Sequence, residues 1–65
     1  MNEYRITRPD SYPEGSPGHT DPSQRQGYYI VAVDTASALV TYRGHWEDPN
    51  SRLDIELWKE GVNIG

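Results

Sequence analysis

The stretch Tyr28–Asp34, "YYIVAVD", runs through six aromatic or aliphatic residues before its first charge. Such side chains suit a pleated backbone, and a run without polar alternation reads as a strand covered on both faces. A central strand is therefore expected here, and the rest of the chain is placed around it.

Gly27 separates this strand from Pro9–Gln26, "PDSYPEGSPGHTDPSQRQ", which holds Pro9, Pro13, Pro17, Pro22, Gly15 and Gly18. Proline removes backbone donors and glycine raises the entropy cost of ordering, so residues 9–26 are expected to be a Pro/Gly-rich loop or mobile segment. Its length exceeds that of most connections within compact domains, and such loops tend to be functional or mobile. Upstream, Glu3–Arg8, "EYRITR", alternates. Tyr4 and Ile6 share one face and Arg5 and Thr7 the other, the pattern of a half-buried strand at a sheet edge.

Downstream, "DTASALVTYRG" admits two conformations. As a helix over 35–43 it has Asp34 or Thr35 as N-cap and Gly44 just past its end. As a strand it returns from a hairpin, which Val40 and Thr41 favour. The Ala content favours the helix, and the Thr-Ala-Ser link lacks the Gly or Asn of a tight hairpin turn. Next comes "LDIELWKE", Leu53–Glu60, with Leu53, Ile55 and Leu57 facing the core and Asp54, Glu56 and Trp58 facing water. Val62 and Ile64 fit a fourth, short edge strand at the C-terminus.

The expected fold class is α+β: a small three-stranded sheet with one short helix, in the order β-loop-β-α-β. An all-β small barrel or meander is the alternative. Sixty-five residues make a single small domain, 1–65. Three Leu, four Ile, four Val and no Phe leave the core under-filled, and five Tyr and two Trp compensate in part. One helix covers one sheet face, so a partner, or a second copy in a homodimer, is expected on the other.

Composition narrows the function. There is no Cys, hence no disulfide or thiolate metal site. No apolar run approaches the ~20 residues that span a bilayer, so a membrane partner is not expected and cytoplasmic is the default. The net charge of −4 makes nucleic acid an unlikely partner. No phosphate-binding loop, nucleophile elbow or cofactor motif occurs, and no catalytic residue or cofactor is assigned.

Three groups of side chains remain. Trp46, Glu47, Asp48, Asp54, Glu56 and Trp58 form an acidic-aromatic surface. Exposed Trp concentrates binding energy and acids around it select a basic protein surface, so these six are the expected partner-binding residues. The function that follows is a small non-enzymatic, accessory, regulatory or inhibitor protein. Arg5, Arg8, Tyr28 and Tyr29 offer an alternative, a sheet face that stacks single-stranded nucleic acid. A third reading, a metal-dependent protein, uses the turns "PGHTD" and "GHWED", where His19 with Asp21 and His45 with Glu47 and Asp48 supply N and O ligands. The spacing fixes no ligand geometry and ordinary turn residues, with Asx-turns before proline, explain both stretches better, so no metal ligand is assigned.

Overall fold

The computed structural model describes residues 1–47 and 49–62. Strands β1 (Asn2–Thr7), β2 (Tyr28–Ala32) and β3 (Asp54–Lys59) form one sheet, and helix α2 (Thr35–Trp46) lies between β2 and β3. Between β1 and β2, residues 9–26 wind into three short turns: a 3-10 turn at Pro9–Ser11, the single turn α1 at Pro17–Thr20, and a 3-10 turn at Pro22–Gln24. Each begins on proline, whose fixed φ suits a first helical position and whose missing donor is not needed there. The fold is α+β, not the all-β alternative.

The strand order is β2-β1-β3, with β1 antiparallel to both neighbours. The strands β2 and β3 are therefore parallel to each other, and the β2-α2-β3 connection crosses over the strand between them. This reverses two expectations. "EYRITR" is the central strand and "YYIVAVD" an edge. Tyr4, Arg5, Ile6 and Thr7 are buried in succession, so β1 is covered on both faces, whereas Tyr29 and Val33 are half or more exposed. Alternation in β1 records a change of cover, from apolar helix to polar loop, and not a change from core to water.

On the helix side, Tyr4, Ile6, Ile30 and Ala32 pack with Ala38 and Tyr42 of α2. Small side chains at Ala32 and Ala38 let the helix sit close, and the fully buried Tyr42 fills the space beyond them. Tyr28, Leu39, Leu53 and Ile55 flank this core. Leu57, expected inside with them, is half exposed because α2 packs on β2 and β1 and leaves the far part of β3 uncovered. The chain beyond β3 returns to the start of β1, where Gly61 N–H donates to Asn2 Oδ1 (3.1 Å) and Val62 N–H to the Met1 carbonyl (2.6 Å). Ile64, half of the expected fourth strand, lies outside the described residues. No described helix is long and apolar enough to cross a membrane.

Helix α2 starts where expected. The Asp34 carboxylate accepts from the Ser37 backbone N–H at 2.8 Å, satisfying a donor that the first turn leaves free. It ends later than expected. The helix passes through Gly44 to Trp46, and Glu47 closes it in the left-handed region (φ 53°), its N–H donating to the Arg43 carbonyl. Gly44 is thus a helix-interior glycine, and a methyl group there would meet nothing within 4 Å.

Two outcomes follow. Replacing Gly44 by Ala removes the entropy cost of a helical glycine, so Gly44→Ala is expected to raise unfolding free energy by about 1 kcal/mol in a urea titration. A helix stop at Gly44 would make the same change destabilising. The hydrogen bonds from Ser37 hold the Asp34 carboxyl below its ordinary pKa, and those from Ser23 do the same for Asp21. A lowered carboxyl stabilises the fold above the unfolded-chain value of about 4, and that stability drains away as pH falls through the lower folded value. Melting temperature should accordingly drop on the acid side of about pH 4, and less steeply in Asp34→Asn, which keeps a capping oxygen without titrating.

Candidate functional site

Residues 9–26 lie as a strap across the sheet face turned away from α2, and two arginines hold them there. Arg25, its side chain only 4 % exposed, donates from Nε to the Gly18 carbonyl and from Nη2 to the His19 carbonyl (2.7 Å). Its Nη1 reaches the Asp54 carboxylate (2.5 Å) on β3 and, at 3.4 Å, the Thr7 hydroxyl on β1. Arg5 on β1 answers from the sheet. Its Nη1 donates to the Pro22 carbonyl (3.0 Å) and to Glu56 (2.9 Å), and its Nη2 to the Arg25 carbonyl. Both guanidinium groups are buried, which is tolerable only because acceptors meet their donors on several sides. For Arg5, burial disfavours the charge, yet hydrogen bonds with Glu56 and Tyr29 outweigh it and hold the pKa above the ordinary arginine value.

Gly27 makes room for this arrangement. A Cβ there would overlap the Arg5 side chain where it passes toward the strap. At the strap's other end the Tyr12 hydroxyl accepts from the Gln26 N–H (2.7 Å), and Asp21 caps the last turn through Ser23.

Asp54, Glu56 and Trp58 do share the face away from the helix. The two acids are not free, however: each is half exposed and each is ion-paired inward, Asp54 to Arg25 and Glu56 to Arg5. Trp58 owes its position to an irregularity. The β1–β3 register runs from Tyr4 opposite Leu57 to Glu3 opposite Lys59, leaving Trp58 as the extra residue of a bulge. Its ring meets Tyr29 edge-on at 5.4 Å between centroids, and the Arg5 guanidinium stands 5.9 Å from its centre. Trp58 and Tyr29 are each 49 % exposed.

The two sequence-derived groups are thus redistributed. Arg5 and Tyr29, grouped for nucleic acid, join Asp54, Glu56 and Trp58 in one cluster on the strapped face. Tyr28 points to the opposite side, where its ring meets Tyr42 (5.5 Å) and Trp46 (5.0 Å). Trp46 stacks on Tyr42 at 4.9 Å with His45 against it at 4.3 Å, so the two tryptophans occupy opposite faces of the molecule. Glu47 is the exposed cap beside Trp46, Arg8 lines a cleft with Tyr12 and Tyr28, and Asp48 lies outside the described residues. Arg25 and Thr7, both buried on this face, were not singled out as site residues from the sequence. A buried arginine inside a polar loop has no periodic signal.

The cleft between strap and sheet, lined by Arg5, Thr7, Pro22, Asp54, Ile55 and Glu56, encloses about 240 Å³, below the usual range for small-molecule sites. Its polar groups already bond one another. His19 sits in the strap and His45 on α2, on opposite sides of the sheet, and among the described residues no three His, Asp or Glu side chains gather as a metal site. The Trp58–Tyr29 pair stays half exposed beside an acid row that is ion-paired inward.

Removing the Arg25 head group strands the Gly18 and His19 carbonyls and the Asp54 carboxylate. Arg25→Met is expected to cost on the order of 3 kcal/mol, read as a fall in the urea midpoint, and Arg25→Lys should recover little because one ammonium cannot span these acceptors. An unchanged midpoint in Arg25→Met would mean that the strap is not held through this side chain. The chain matches no protein-family model, no curated protein and no solved structure.

Proposed function

We propose that this chain is a small non-enzymatic protein-binding module, an accessory, regulatory or inhibitor protein of the cytoplasm, whose contact surface centres on Trp58 and Tyr29. The supporting observation is the Trp58–Tyr29 pair. Two large rings stand half exposed on a strand-built base, one of them aimed by a bulge. Tryptophan and tyrosine dominate the energetic centres of protein interfaces, and the strap and the Asp54–Glu56 row supply a polar rim around them. With those two acids paired inward, attraction for a basic partner falls to the overall charge of −4, which favours encounter over tight charge contacts.

Single-stranded nucleic acid is the weaker fit. Arg5 is engaged within the fold and Tyr28 lies on the other face, so the four residues do not make one stacking platform.

Capture of a partner by immobilised protein tests the proposal. Trp58→Ala is expected to weaken capture by about 2 kcal/mol or more, roughly thirty-fold, while Trp46→Ala leaves it intact; circular dichroism should stay native in both. Glu56→Lys is unsuitable as a probe because it sets a second cation against Arg5. Capture that survives Trp58→Ala contradicts the assignment. So does binding to a single-stranded oligonucleotide that weakens as salt rises.

A further inference from the structure

We infer that two copies of this chain associate through the outer edge of β2, joining two three-stranded sheets into one of six strands. The two edges of the sheet differ in chemistry. The strand β3 carries Asp54, Glu56 and Lys59, the charges by which natural edge strands resist pairing. The strand β2, "YYIVA", has no charge, no proline and no glycine. It is the terminal strand of the sheet, so its outer row of backbone N–H and C=O groups faces away from β1, and among the described residues no strand pairs with it. An unpaired backbone ladder selects another extended backbone as its partner.

A second copy fits this edge. A two-fold axis normal to the sheet through Ile30 pairs residues whose numbers sum to a constant, so side chains on one face stay on that face. Tyr28 then stands opposite Ala32 of the partner subunit, large against small on the helix side. Tyr29 stands opposite Val31 of the partner subunit, an aromatic–β-branched pair of the favourable kind. Carried outward, the register sets Gln26 against Asp34 of the partner subunit, so acid faces amide rather than acid. That matters for two chains of net charge −4. The pairing also covers part of the exposure at Tyr29 and Val33. The seam shares Tyr29 with the proposed contact and leaves Trp58, on the opposite edge strand, outside it.

Val31→Lys tests the edge with little risk to the fold, because Val31 stands opposite Glu3 on β1 and a lysine there gains a cross-strand partner within the monomer. In a dimer it desolvates beside Tyr29 of the partner subunit, close to its own symmetry mate. Light scattering after size exclusion is expected to give twice the chain mass for the wild type and for Trp58→Ala. It should give the single-chain mass for Val31→Lys, with far-ultraviolet dichroism unchanged. A wild type that stays at single-chain mass as concentration is raised overturns the inference. So does a Val31→Lys that remains dimeric, or a dimer lost in Trp58→Ala. Should Val31→Lys fail to fold, amide exchange on the wild type decides: protection across Tyr28–Ala32 must rise with protein concentration, and concentration-independent exchange there overturns the proposal.

Discussion

The structure depends on two buried guanidinium groups that tie a proline-punctuated strap to the sheet. A chain of this length with so few Leu, Ile and Val cannot cover both faces of a sheet with apolar side chains. One face is covered by a helix through Ala38 and Tyr42 in the ordinary apolar way. The other is covered in part by polar chain, with Arg5 and Arg25 gathering the carbonyls of Gly18, His19, Pro22 and Arg25 that would otherwise lose water without replacement. Arginine suits this position because its planar fork reaches several acceptors at once, whereas lysine offers a single point of attachment. Surface pairs such as Arg52 with Asp10, separated by 3.6 Å and well exposed, add little by comparison.

This economy shapes the surface left for function. The acids Asp54 and Glu56 spend much of their charge on the internal arginines, so the face is aromatic first and acidic second. The strap and the bulge in β3 between them decide which ring meets solvent, since the strap covers the Thr7 end and the bulge lifts Trp58 toward Tyr29. The second tryptophan, 40 % exposed, packs on Tyr42 and Tyr28 at the end of α2, on the face away from Trp58.

Much of the element order was legible in the residues. Asp34, one of two candidate N-caps with Thr35, marked the helix start, the alternation of "LDIELWKE" marked β3, and proline and glycine marked the strap. The lateral order was not legible, for a physical reason. Apolar patterning reports whether a side chain leaves water, and Arg5 and Thr7 leave water without being apolar. "EYRITR" therefore imitates an edge strand, and "YYIVAV" imitates a central one although Tyr29 and Val33 stay outside. Gly44 misled in a similar way, since glycine stops a helix only where the backbone needs positive φ, and here Glu47 takes that conformation. The bulge that aims Trp58 depends on strand register, which no local pattern encodes.

The strap is part of the folded core because β1 is central beneath it. Native-state amide exchange measures this residue by residue. The His19, Asp21, Gln24 and Arg25 amides, each bonded to a strap carbonyl, should be protected and should open together with the β1 amides of Tyr4–Thr7 as denaturant is raised. Strap amides that exchange at unfolded-chain rates while β1 stays protected would contradict it.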